Sequence, residues 1–340
     1  MKRFLMFLSC MMVFGMLAGC AGDNGKENGS KGEKKVIKLG HIDPAQDTDP
    51  YHVLASNFKK YVEESTDGSI EVDIISDAQL GSEISMIEGM KIQTIDAAVI
   101  TNFSFGSFNP KFMAFDLPYL FDTKEEAYNV LDDQDIMGDL EDDLYDQYDV
   151  KILSWGEGGF RSVINSIRPI KSVSDLKGIK IRVPENPLYV DTFKALGANP
   201  TTMASNEVFT GLQQGTIDGL EQPITPMYTY KTYEVSKYIS LTDHFYSPIS
   251  LSVSRSIWES LDEEERTLVE DAAKKAATDE RVSSQEVNEQ LLKEMEESGA
   301  MVNDIDDKTP FRESVQSVYD KYKEQIGEDL MKKIESKLSK

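Results

Sequence analysis

The chain has 340 residues, with 60 Asp and Glu against 36 Lys and Arg and a net charge of −24. That balance argues against nucleic acid, whose phosphates need a basic footprint, and against docking on anionic lipid. A small anionic ligand would be opposed by the global field, so specific arginines would have to create its site locally.

The first residues set the compartment. Lys2 and Arg3, an apolar run over residues 4–17 and the close Leu17-Ala18-Gly19-Cys20 read as a secretory signal over residues 1–19. The run is too short to span a bilayer, which takes about 20 apolar residues. The close resembles a bacterial lipoprotein signal, which implies cleavage before Cys20 and lipid on its thiol. The plainer reading is an ordinary signal peptide. Residues 20–35 are Gly, Asn, Ser, Lys and Glu with almost nothing apolar, so a flexible tether is expected there. Cys10 falls in the signal, which leaves the mature body without a free thiol or a disulfide.

Beyond the tether, strand and helix patterns alternate. A strand is expected at 36–42 and a helix at 50–64, where Val53, Leu54, Phe58 and Val62 share a helical face. A strand at 70–75 and a helix at 82–93 follow, with Ser82 as N-cap. Next come a buried strand at 97–101, helices near 124–131 and 136–145, and a strand at 150–155. This order predicts an open, mostly parallel sheet with helices on both faces. Gly156-Glu157-Gly158-Gly159 interrupts it, as a hinge crossing or a tight loop.

The pattern resumes with strands at 160–165 and 179–183, a helix at 188–196, an extended stretch at 200–203, a helix at 206–214 and a short strand at 219–222. The last long strand is expected at 249–254. Residues 262–298 read as one charge-rich helix of about 50 Å, longer than a small domain. Residues 300–338 add a short strand and two helices.

An internal echo supports two similar halves. Gly89-Met90-Lys91-Ile92-Gln93-Thr94-Ile95-Asp96 leads into one strand, and Gly211-Leu212-Gln213-Gln214-Gly215-Thr216-Ile217-Asp218 leads into another. The strands end near Asn102 and Gln222. Two doubly wound sheets facing each other would place a ligand outside their carboxyl ends.

Enzyme signatures are missing: no Gly-x-Ser-x-Gly elbow, Walker loop, dinucleotide glycine motif or His-Glu-x-x-His. His41, His52 and His244 lack metal-ligand spacing, so neither a metal nor a cofactor is expected. In Gly178-Ile179-Lys180-Ile181-Arg182-Val183-Pro184, alternation puts Lys180 and Arg182 on one face, and Pro184 leaves Arg182 at the strand's carboxyl end. Arginine's planar fork matches a carboxylate bidentately. The plainer reading is an arginine on a solvated sheet face. Arg161, directly after the glycines, either looks into the same cleft or belongs to the loop.

Several segments together resemble the receptors of tripartite ATP-independent periplasmic (TRAP) transporters of the dicarboxylate-binding DctP type. They are Gln79-Leu80-Gly81-Ser82-Glu83, Gly89 through Asp96, Asp116-Leu117-Pro118-Tyr119-Leu120-Phe121, Asp175 through Pro184, Ala195 through Pro200, Glu207 through Gly219, and Glu221-Gln222-Pro223. The resemblance runs in order over most of residues 36–335. It implies an α/β, two-lobe periplasmic-binding-protein-like fold that closes on a carboxylate in the cleft, with a long helix bracing both lobes. Lobe I would take residues 36–157 plus about 247–287, and lobe II residues 158–246 plus about 288–340.

The resemblance also implies a non-enzymatic receptor, and the lipoprotein-like signal implies an extracytoplasmic one, in the periplasm or on the outer face, lipid-anchored to the cell membrane through Cys20. It would work with a small and a large integral membrane subunit driven by an ion gradient. The family's carboxylate clamp falls on Arg182 and its second arginine on Arg161. Gln222 stands where the family carries Asn. Other implied lining positions are His41, Glu83, Thr101, Asn102, Glu185 and His244. Arg182-Val183-Pro184-Glu185-Asn186-Pro187-Leu188-Tyr189 resembles branches that bind uronates and hexonates, and Glu, Asn, Gln and His would supply partners for sugar hydroxyls. A four-carbon dicarboxylate held by both arginines is the alternative ligand. A lipoprotein enzyme acting on sugar acids, a sensor partner and a receptor of an ATP-driven transporter are the alternative classes.

Overall fold

A computed structural model describes residues 34–338. The signal segment, Cys20 and the tether up to residue 33 lie outside the described residues.

Among the described residues nine strands form one mixed sheet: β1 (Lys35–Gly40), β2 (Ile70–Ile75), β3 (Ala97–Thr101), β4 (Val150–Asn165), β5 (Lys180–Val183), β6 (Asn199–Thr202), β7 (Gly219–Pro223), β8 (Tyr238–Ser254) and β9 (Met301–Asp304). The order is β2-β1-β3-β8-β4-β7-β5-β6, with β9 also on β8. The outer trios β2-β1-β3 and β6-β5-β7 are parallel within themselves. The central pairings of β3 with β8, β8 with β4 and β4 with β7 are antiparallel. The two halves therefore do not carry separate facing sheets. β4 and β8, of 16 and 17 residues, run through both and join them.

The glycine run does not break the chain into a loop. β4 continues through it, with a register shift between Glu157 and Phe160. Gly159 sits there at φ +93, and a Cβ on Gly158 would meet the Ser247 carbonyl oxygen at 2.4 Å. The strand needs glycine at these positions to pack against β8. β8 begins at Tyr238, eleven residues before the pattern announced it. Asp243 at φ 43 and Pro248 interrupt its alternation, while burial and pairing to β4 keep it extended.

The expected helices are present: Pro50–Ser65, Glu83–Lys91, Lys124–Leu131, Gln134–Tyr148, Pro187–Ala195 and Val208–Gln213. Ser82 caps the second, accepting from the Ser85 amide. Three helices, not two, close the chain: Thr309–Ser314, Gln316–Ile326 and Glu328–Leu338.

The long helix Glu263–Glu297 starts on a capping box between Asp262 and Glu265. Its 35 residues extend about 52 Å at 1.5 Å per residue. Val269, Ala272, Ala273 and Ala276 pack with Leu54 and Phe58 in one core cluster. Leu291 and Met295 pack with Leu220 and Ile239 in another. The alanines allow close approach on one half and the longer side chains fill the other, so one helix braces both.

The echo in the sequence is an echo in space. Thr94 N and Ile95 N both donate to Gly89 O, and Thr216 N and Ile217 N both donate to Gly211 O. A Cβ on Gly89 would strike Ile95 at 2.7 Å, and one on Gly211 would press on Met203 and Ile217. Asp96 accepts from the Lys38 amide at 3.0 Å, and Asp218 accepts from the Lys180 amide at 2.9 Å. Each trio is thus one βαβαβ unit closed by the same Thr-Ile-Asp turn.

Candidate functional site

A cavity of about 360 Å³, ample for a small organic molecule, opens between the halves. The N-terminal half supplies Ile42, Asp77, Glu83 and Ser104, and the C-terminal half supplies Arg182, Glu185, Ser205 and Tyr230. The cavity thus gathers Arg182, Glu83 and Glu185 from the expected residues. The other expected residues are not among the side chains that line it.

β5 carries Arg182 into the cavity, and Pro184 stops the strand just beyond it. Arg182 is 5% exposed. Its Nε donates to the Met203 carbonyl at 2.8 Å, and its Nη2 lies 3.5 Å from Ser205 Oγ. Among the described residues no carboxylate reaches it at ion-pair distance. Burial, with the nearby Arg161 charge acting the same way, lowers its pKa to about 10 against the pull of Glu221 and Glu185. A buried guanidinium without a paired anion is costly, and an entering carboxylate would relieve it.

Arg161 is differently placed. Its Nε is 2.6 Å from Glu221 Oε2 and its Nη2 is 2.9 Å from Glu221 Oε1, with a third bond to the Glu221 carbonyl. The Phe103 and Tyr189 rings flank it. Burial would raise the Glu221 carboxyl, but Arg161 and His244 outweigh it and hold the pKa below its ordinary value. His244 completes the cluster, with Nε2 at 3.2 Å from Glu221 and Nδ1 at 2.8 Å from Thr242 Oγ1. Burial lowers its pKa.

Glu83 opens its helix but is only 5% exposed. It accepts from the Thr101 amide at 2.8 Å, Thr101 Oγ1 at 2.9 Å, Ser104 Oγ at 2.6 Å and Tyr51 OH at 3.1 Å. Burial raises its pKa, and these donors work against the rise. Thr101 is therefore a support behind Glu83.

His41 is fully buried against His52, with Nε2 to Nδ1 at 3.2 Å. Burial and His52 lower its pKa to about 4, so it is neutral. Asn102 donates to the Phe112 carbonyl at 3.0 Å, and Gln222 Nε2 lies 3.4 Å from Thr232 Oγ1.

The sequence reading missed Ser104, Ser205, Asp77 and Tyr230. Tyr230 OH donates to Asp43 Oδ1 at 2.5 Å, a bond from the segment after β7 to the segment after β1. Asp77 sits at φ 58 in the turn after β2, where an Asp-Ala pair gives a faint turn signal. Nothing local marks the others, because only the meeting of the two halves brings them together. Among the described residues no group of three His, Cys, Asp or Glu side chains is arranged to hold a metal ion. No described helix is long and apolar enough to cross a membrane.

Comparison with known proteins bears on this geometry. Residues 40–325 match the model of DctP, bacterial extracellular solute-binding protein, family 7. The 2,3-diketo-L-gulonate-binding periplasmic protein YiaO of Escherichia coli K12 is 32% identical over 294 residues, covering 85% of this chain and 88% of that protein. A TRAP periplasmic solute-binding protein of Chromohalobacter salexigens, solved with bound D-glucuronate, is 30% identical with a TM-score of 0.84, over 89% of this chain and 99% of that one. The sugar acid binding protein of Advenella mimigardefordensis, solved with galactonate, is 29% identical with a TM-score of 0.85, over 90% and 98%.

Proposed function

The chain belongs to DctP, the family 7 bacterial extracellular solute-binding proteins, and from that premise we propose that it is a TRAP receptor for a sugar acid, a uronate or a hexonate. Proteins of this family are binding receptors, not enzymes, and work with TRAP membrane components. Arg182 clamps the ligand carboxylate. Glu83, Ser104 and Glu185 take hydroxyls. Arg161, Glu221 and His244 hold the wall behind the clamp, with Gln222, Thr101, Asn102 and His41 in supporting positions. The lobes follow the boundaries expected above, and Cys20 carries the lipid that tethers the receptor to the membrane.

The observation that carries this reading is Arg182 itself, a buried cation on a cavity wall with no carboxylate of its own among the described residues. The relatives that bind glucuronate, galactonate and diketogulonate support the choice of ligand class.

A thermal-shift screen of the purified protein against uronates, hexonates and four-carbon dicarboxylates tests it. A ligand that binds only the folded state raises the midpoint with RT ln(1 + [L]/Kd). A shift with a uronate or hexonate supports the reading, and a shift with succinate or malate alone replaces the ligand class. No shift with any acid rejects the proposal.

A further inference from the structure

We infer that the site accepts acids with one carboxylate and a hydroxylated far end and rejects acids carboxylated at both ends, with Glu83 as the discriminating residue. The inference rests on the receptor reading above and deepens it.

The charges around the cavity are lopsided. Among its described lining side chains Arg182 is the one basic group, and it shares the wall with Asp77, Glu83 and Glu185. The second arginine does not redress this: it is absent from the lining, its Nε and Nη2 are taken by Glu221, and its Nη1 lies 3.4 Å from Ser247 Oγ.

The internal repeat shows that the other half carries no cation at the matching place. Leu39 pairs with Ala97 as Ile181 pairs with Gly219, each just after the aspartate of the repeated turn. Gly40 is therefore the counterpart of Arg182. A Cβ at Gly40 would come within 2.8 Å of Leu80 Cδ1 and of Met86 Sδ, so the tips of these two side chains fill the space beside it.

The N-terminal half presents Glu83 instead. Its Oε1 accepts from the Thr101 amide and hydroxyl and from Tyr51, while its Oε2 accepts from Ser104 alone. Oε2 keeps an acceptor site, and Ser104 shares the same wall. A ligand hydroxyl can donate there. A second carboxylate brings no proton to donate, so its oxygens would be set against the acceptor oxygen of a buried Glu83 with no hydrogen bond between them.

The experiment is calorimetric titration of the purified full chain with matched pairs: galactonate against galactarate, and gluconate against glucarate. Within each pair only the far carbon changes, to a carboxylate. The monoacid that binds should do so about tenfold or more tightly than its diacid. In Glu83→Gln the ratio should fall to about threefold or less. A diacid that binds the wild type as tightly as its monoacid overturns the inference and leaves the receptor standing. An unchanged ratio in folded Glu83→Gln overturns the assignment to Glu83. If that variant does not fold, the wild-type ratio alone decides. Failure of every sugar acid to bind overturns the receptor reading and the inference with it.

Discussion

Arg161 and Glu221 close on each other as a two-point pair, at 2.6 and 2.9 Å, with Glu221 fully buried. Removing one partner of such a pair leaves an uncompensated buried charge. Glu221→Gln should therefore destabilise the fold by about 3 kcal/mol or more. The urea midpoint checks this, and an unchanged midpoint would mean that the pair is not a structural anchor.

Arg182 should behave in the opposite way. With no carboxylate partner among the described residues, its burial is a cost to the empty protein. Arg182→Met should keep or raise the melting temperature while weakening sugar-acid binding by about 3 kcal/mol or more, roughly 100-fold. Near-native affinity in a folded Arg182→Met protein would remove the clamp from this position.

Glu280 gives stability a pH dependence. It lies on the long helix, fully buried, where it accepts from the Glu157 amide at 2.7 Å and from Ser284 Oγ at 2.5 Å. Burial raises its pKa to about 8 from 4.5. The folded state thus holds a proton that the unfolded chain gives up, and stability falls as pH rises from about 4.5 to about 8. Asp116, raised by burial to about 7, adds a fall of the same sign. His41 works on the acid side, where stability is lost as pH drops from 6.5 towards about 4. Glu280→Gln should flatten the loss between about pH 6.5 and 8 in melting curves taken across pH. An unaltered slope would show that Glu280 is ionised in the native protein.

The Tyr230–Asp43 hydrogen bond joins the two banks of the cavity. Tyr230→Phe removes the donor at little steric cost. Ligand release should speed up by about three- to tenfold, the worth of one hydrogen bond. Stopped-flow dissociation reads this directly, and an unchanged rate would confine the bond to local packing.

Much of the fold was legible because it is written locally. Val53, Leu54, Phe58 and Val62 announce a helix by their spacing, Ser82 marks a helix start, and the Thr-Ile-Asp turn announces each repeat by its residues. The single sheet was not legible, since it depends on β4 and β8 pairing across about a hundred residues, and a glycine run and Pro248 hide both strands. At the site, Arg182 was visible from strand alternation and Pro184. Arg161 was named with it, yet its engagement with Glu221 follows from the β4–β7 register, which sets Arg161 opposite Pro223. Tyr230 and Ser104 carry no local mark at all.

The duplicated βαβαβ unit lets this molecule serve as its own reference. Gly89 and Gly211, Thr94 and Thr216, Ile95 and Ile217, and Asp96 and Asp218 are the same in both copies and make the same bonds. Gly40 and Arg182 hold the same place and have diverged. Positions kept in duplicate are the grammar of the scaffold, where substitution threatens folding. Positions that differ between the copies form its vocabulary, and there a receptor of this build can be retargeted to a new solute with the architecture left intact.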